Sequence, residues 1–302
     1  MNFHDINISD KGWIDSLLRL SDFRGTEYCF TNLFVWKHVF QTRVARYHDF
    51  LLIRSEREGR VVDIFPAGQG DIKALIRLLM QQAIEEKRDF CMAGVSAAAM
   101  ARLQEMFPRQ FMPVMDRNSC DYIYNMTDLR DLQGKKYQSK RNHIARFVEL
   151  PQWRYERIEV SNIAECIEMN RQWCKEADCR GNSSLRAEMQ AATTGLTHFE
   201  ALGLEGGMLR VDDRVVAYTV GEPLNSDCYI VHTEKAFSDI RGAYPCINRE
   251  FVRDRMGGFQ YVNREDDAGD EGLRKAKNSY HPVFMQEKYF FVVSYNSISL
   301  SH

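Results

Sequence analysis

Apolar positions along the chain switch repeatedly between a three-to-four spacing, which suits a helix, and an every-second spacing, which suits a half-buried strand. Helical spacing marks residues 13–20, with Asp10 placed to cap them, and the aromatic-rich 31–40. Strand alternation follows at 47–54 and 60–65, joined by a turn at Glu58 and Gly59. The pattern then predicts a helix over 71–86, a strand over 90–95, a helix over 96–106 and strand-like alternation through 110–126. The second half runs through the same order. After helices at 163–177 and 183–201 come a hairpin of 207–211 with 214–221 and a strand at 228–233. A helix at 243–256, a strand at 259–262, a helix at 270–280 and a strand at 283–293 complete it.

No residue-level identity ties the halves together, yet one order of elements used twice predicts two similar α/β units, divided as 1–150 and 151–302. Each is expected to carry a mixed, mostly antiparallel sheet flanked by helices. Composition fits that expectation. With 302 residues, 44% hydrophobic and 27% charged, the chain is an ordinary globular protein with room for two domains. No apolar run approaches the ~20 residues that a membrane helix needs. The opening MNFHDINISD has neither the basic start nor the apolar stretch of a signal peptide, so a cytoplasmic protein is expected. The eight cysteines form no CxxC pair, and Cys174 with Cys179 has no histidine nearby to complete a zinc set. Reduced, buried thiols and no metal follow as the expectation. A formal charge of -2 excludes polyanion binding over the whole surface and confines it to a local patch.

Three stretches could carry chemistry. The richest is NREDDAGDEGLRKAKNSYHP at 263–282, where charge, glycine and a tyrosine lie between two apolar strands. Acids at 267–270 favour a helix start, and Leu273, Ala276 and Tyr280 then recur as one stripe, with Arg274 and Lys277 on another face. Asp270 with Arg274 and Glu271 with Lys275 are ordinary i,i+4 pairs of ~0.2–0.5 kcal/mol, so a solvated face is the plainer reading of this helix alone. Its terminal phenol is placed to give a proton to a leaving group. Glu222, Glu265, Asp266, Asp267 and His232 are candidate bases between which the sequence does not choose; a lone strand histidine is more often a core residue.

The second stretch is EKAFSDIRGAYPCINRE at 234–250, where a strand ends, Arg241-Gly242-Ala243 turns tightly and a helix begins near Pro245. Amides at such a helix start suit a phosphate. It is neither a GxGxxG nor a GxxxxGK[ST] loop, and one glycine before a helix is commonly a turn residue and nothing more. The third, GKKYQSKRNHIAR at 134–146, holds Lys135, Lys136, Lys140, Arg141 and Arg146 without an acid. Cations along one helix flank invite the phosphate of a coenzyme, a lipid headgroup or an RNA end, with a solvated basic helix an equally good reading.

The second half resembles the acyl-CoA N-acyltransferase (GNAT) fold. Residues 228–233, Arg241-Gly242-Ala243, 259–263 and 273–280 fall where that fold has a strand, a pyrophosphate turn, a splayed strand and a helix ending in tyrosine. Nearly the whole chain is similar to the family named for the C-terminal domain of phosphatidylglycerol lysyltransferase, through LQGKKYQSKRNHI at 132–144 and the stretch at 263–282. That family pairs two GNAT-like units, as do the Fem-type aminoacyl-tRNA-dependent peptidyltransferases. The resemblance implies a donor site in the second unit, with coenzyme A held by Arg241, Gly242, Ala243 and Tyr244 and along Val231, His232 and Thr233. It implies Tyr280 as the proton donor, Asn263 and Glu265 as its catalytic companions, and a substrate met by Lys135, Lys136, Lys140, Arg141, Arg274 and Lys277.

The leading expectation is therefore transfer of an acyl group from a coenzyme A thioester to an amine or hydroxyl. An aminoacyl-tRNA-dependent transferase, its basic stretch meeting the RNA acceptor end, is the alternative. The third reading is a non-catalytic ligand-binding protein on the same scaffold. Expected partners are a small-molecule acceptor of unassigned identity, tRNA under the second reading, and anionic lipid at the periphery.

Overall fold

The computed structural model describes residues 1–57, 59–177, 179 and 181–299; Glu58, and with it half of the turn expected at 58–59, lies outside the described residues. Two seven-stranded sheets organise the chain. The first runs in the order His4–Asp5, Arg43–Tyr47, Phe50–Arg57, Arg60–Gly68, Phe90–Val95, Tyr289–Val293 and Val114–Met115. Arg60–Gly68 beside Phe90–Val95 is a parallel pair among antiparallel ones. The second runs Phe284–Gln286, Asp121–Asn125, Tyr261–Asn263, Cys228–Ala236, Arg214–Pro223, Glu205–Val211 and Arg154–Arg157. There Cys228–Ala236 lies parallel to Tyr261–Asn263 and antiparallel to Arg214–Pro223. Both sheets are mixed and mostly antiparallel, with helices packed against them.

Helix Ile72–Glu85 shows how the pattern is converted into packing. Asp71 caps it, its Oδ1 accepting the Ala74 N–H at 2.9 Å. Ile72, Leu75, Ile76, Leu79, Met80 and Ala83 form one buried stripe against Phe90, Met92 and Phe291. Each large member contributes about 1.5–3 kcal/mol through burial.

Contacts gather the chain into one unit of Met1–Asp121, Asp266–Asp270 and the described residues from Met285 onward, and another of Tyr122–Glu265 and Glu271–Phe284. That grouping differs from a division at 150. Its origin is the alternating run at 110–126, which is two strands in different sheets: Val114–Met115 in the first and Asp121–Asn125 in the second. The last strand, Tyr289–Val293, then returns to the first sheet.

Three further expectations change. The strand expected at 47–54 is a hairpin of Arg43–Tyr47 with Phe50–Arg57, turned at His48, whose φ is 52°. Cys174 and Cys179 are joined by a disulfide (S–S 2.18 Å), whereas the sequence reading had every cysteine reduced. Helix Ile163–Glu176 ends just after Cys174, and the chain then brings the two Cα atoms to 5.3 Å, within bridging range. The other six cysteines are buried thiols outside any disulfide. Helix Glu271–Asn278 does not bury the stripe its spacing suggested: Leu273 is 43% exposed, Ala276 is exposed, and the residue it buries is Lys277.

Candidate active site

Strand Cys228–Ala236 pairs with Arg214–Pro223 from Tyr229 to Ala236, with a bulge at His232, but its parallel pairing with Tyr261–Asn263 covers only Cys228, Tyr229 and Ile230. Beyond Ile230 the two strands part. Side chains beside that splay make two polar groups, one around His232, where the pairing with Arg214–Pro223 slips by one residue between Val220 and Gly221, and one around Glu234.

His232 lies between two carboxylates. Its Nε2 is 3.0 Å from Glu222 Oε1 and its Nδ1 3.0 Å from Glu265 Oε1. The three side chains are 6%, 10% and 22% exposed. The two carboxylates hold the imidazole by both ring nitrogens and so fix its orientation. Asn263, fully buried, sets this geometry: its Oδ1 accepts the Glu265 N–H at 2.7 Å and fixes a turn in which Glu265 takes a φ of 60°.

The second group is cationic and aromatic. Arg264 Nη2 donates to Glu234 Oε1 at 2.8 Å, and Asn248 Nδ2 donates to Glu234 Oε2 at 2.9 Å. Arg264 Nη1 and Asn248 Oδ1 are buried without a hydrogen-bond partner. The Arg264 guanidinium lies 4.6 Å from the Tyr280 ring centre, and Lys140 Nζ lies 3.8 Å from the same ring while donating to Ser279 Oγ at 2.7 Å. Burial, aided by the Arg264 charge, pulls the Lys140 ammonium down to about 8. Burial pushes the Tyr280 phenol up, with Arg264 opposing.

Backbone carbonyls pin that tyrosine in place. Tyr137 Oη donates to Tyr280 O at 2.9 Å, Tyr124 Oη to Lys277 O at 2.8 Å, and Lys277 Nζ to Arg264 O at 2.6 Å. Lys277 is thus an internal strut. Lys140 is turned inward and Arg141 clamps a turn, its Nη1 donating to Leu132 O and Gly134 O (2.8 Å to the latter). Lys135 and Lys136 remain exposed, Lys136 beside Asp128 at 3.3 Å, and Arg274 is partly buried. Asp266 and Asp267 belong to the first unit, where Asp267 is fully buried 3.4 Å from Arg117. Of the candidate bases, Glu222, His232 and Glu265 are the ones brought together.

Of the amides around the turn Arg241-Gly242-Ala243, that of Ala243 donates to Ile240 O and that of Cys246 to Gly242 O, and Pro245 has none. Gly242 packs against helix Gln138–Phe147 so closely that a Cβ would sit 2.1 Å from His143 O. Arg241 is exposed, Ala243 and Val231 are buried, Thr233 is partly buried, and the Tyr244 phenol meets the Ala236 backbone and the Trp173 indole. Glu234, Arg264 and Asn248 were not among the residues singled out from sequence. Their signal was weak: Arg264 follows directly on strand Tyr261–Asn263, while Glu234 lies within strand Cys228–Ala236 and Asn248 within helix Ala243–Arg255.

A conserved protein of unknown function from Bacteroides thetaiotaomicron is 40% identical, with a TM-score of 0.93 covering 97% of this chain and 100% of that one. The C-terminal domain of a putative lysylphosphatidylglycerol synthetase from Agrobacterium fabrum shares the fold at 11% identity, with a TM-score of 0.67 over 97% of this chain and 94% of its own. An uncharacterized protein of Mycoplasmoides gallisepticum is 24% identical over 195 residues, 60% of this chain; the match spans only 58% of that relative's length. Residues 18–292 match the family described as phosphatidylglycerol lysyltransferase, C-terminal. With a match of that extent, the chain belongs to the phosphatidylglycerol lysyltransferase C-terminal family.

Proposed function

We propose that the chain moves an aminoacyl group from the ester of an aminoacyl-tRNA to a hydroxyl or amine acceptor, with phosphatidylglycerol the acceptor that the family's description names. The family match over residues 18–292 is the observation that carries this reading. Geometry favours the ester over a coenzyme A thioester as donor. A pyrophosphate needs several converging amides and room to meet them; at this turn the Ala243 and Cys246 amides are already bonded, Pro245 has none, and Gly242 packs against the His143 carbonyl oxygen.

In this reading the ester carbonyl lies at the splay, where strand Cys228–Ala236 has lost its parallel neighbour beyond Ile230 and its backbone amides receive the oxyanion. The Glu222, His232 and Glu265 chain takes the proton of the attacking hydroxyl or amine. Tyr280, kept protonated by burial, gives a proton to the departing ribose oxygen, which is far more basic than a thiolate and needs one to leave. Lys135 and Lys136, exposed, meet RNA phosphates.

The test incubates the purified chain with radiolabelled lysyl-tRNA and other aminoacyl-tRNAs in the presence of phosphatidylglycerol vesicles, with labelled acetyl-coenzyme A and an amine panel in parallel. Label should pass from an aminoacyl-tRNA to lipid. Transfer from acetyl-coenzyme A alone would return the thioester reading, and no transfer from either donor would leave a ligand-binding protein.

A further inference from the structure

We infer that the first unit carries a pocket for a small organic ammonium ion, walled by the rings of Phe23, Tyr28 and Phe65 and closed at its base by the Glu27 carboxylate. These four residues are part of the lining of a cavity of about 260 Å³. The rings stand at an angle to one another, with Phe23 4.6 Å from Tyr28 at 58° and 6.2 Å from Phe65 at 52° between centroids. They form a corner that presents ring surface to the cavity. Tyr28 is locked in it, its phenol shared between the carbonyls of Phe65 and Gly94 at 3.0 and 2.9 Å.

The backbone makes room for the carboxylate on two sides. A Cβ on Gly25 would lie 2.6 Å from Glu27 Oε1, and one on Gly94, whose φ is 67°, would lie 3.0 Å from it. Glu27 keeps 15% of its side-chain exposure, so its carboxylate is reachable from the cavity.

Charge decides the ligand class. One ammonium, Lys288 Nζ, serves two carboxylates, lying 2.7 Å from Glu27 Oε2 and 2.7 Å from Asp121 Oδ1. Burial pushes the Glu27 carboxyl up, Lys288 opposes that and the Asp121 charge adds to it. Asp22 and Arg24 on the cavity wall are of opposite sign, and Glu287 adds a further carboxylate. A cation in the cavity meets the Glu27 carboxylate and the negative faces of the rings. An anion finds an excess of its own sign. The volume falls just below the ~300–1,000 Å³ of drug-sized pockets, so the ligand is an alkylammonium of few heavy atoms. This pocket shares no residue with the transfer site, and its assignment does not depend on the transferase reading.

Calorimetric titration of the full chain with pentane-1,5-diamine and tetramethylammonium tests it, with 1-pentanol and glutarate as the uncharged and anionic counterparts. Both ammonium ions should bind with dissociation constants of about 1 mM or tighter, and the counterparts should not bind. Phe23→Leu, which removes the ring and keeps apolar bulk, and Glu27→Gln, which removes the charge and keeps the shape, should each weaken binding about ten-fold. If Glu27→Gln fails to fold, Phe23→Leu carries the test alone. Absent ammonium binding, equal binding of glutarate or pentanol, or undiminished binding by Phe23→Leu overturns the assignment.

Discussion

His232 was a strand histidine with many explanations until two glutamates were found on its two nitrogens. Glu222 is ten residues before it and Glu265 thirty-three after, so only strand pairing could reveal the trio. As a general base it is worth about 10²–10⁴-fold in rate, and His232→Gln should lower aminoacyl transfer by that range while leaving lysyl-tRNA binding unchanged. Lys140 offers a check independent of activity. Its ammonium is held down at about 8 against an ordinary 10.5, so between those values the unfolded chain binds the proton and the folded chain does not. Stability gained through Lys140 must then rise as pH climbs from about 8 to 10.5, and be lost as pH falls back. Melting curves of wild type and Lys140→Met across that range should show the rise in the difference between them. Residue types in the basic stretch were legible in the sequence, but their directions were not. Lys140, Arg141 and Lys277 turn inward because buried carbonyls and rings need them, a demand that i,i+4 spacing cannot express.

Among the elements, helix Ala243–Arg255 and strand Cys228–Ala236 were the most legible, since long apolar periods and a glycine before a helix are local signals. What the glycine was for was not local. Gly242 has a φ of 86° and sits under the His143 carbonyl, so its role is close packing of two helices. Gly242→Ala should cost about 2–4 kcal/mol, from left-handed strain plus overpacking, measured by chemical denaturation. Across the splay, Arg264 and Glu234 form a buried pair whose side chains are 11% and 10% exposed. Glu234→Ala strands the guanidinium and should cost about 3–5 kcal/mol in the same measurement, more than the paired change of Glu234→Leu with Arg264→Met.

For the molecule as a whole, two tandem α/β units could be read from the repeated order of elements, whereas the place where one sheet stops and the other starts could not. Alternation at 110–126 looks continuous because period two is the same in either sheet; pairing partners alone separate Val114–Met115 from Asp121–Asn125. Residues 1–150 expressed alone lack Tyr289–Val293, which lies between Phe90–Val95 and Val114–Met115 and brings Phe291 and Val293 to the core. That fragment should give no sharp thermal transition in circular dichroism. Adding a peptide of residues 285–299 should restore one if the missing strand is the cause.

The same strand has a consequence during synthesis. A ribosome releases the chain from its N-terminus, so the sheet begun by the first residues waits with a gap beside Phe90–Val95 until residue 293 has emerged. The first unit begun closes after the second, and an unpaired edge of Phe90, Cys91, Met92 and Val95 is exposed to other nascent chains while residues 96–288 are made.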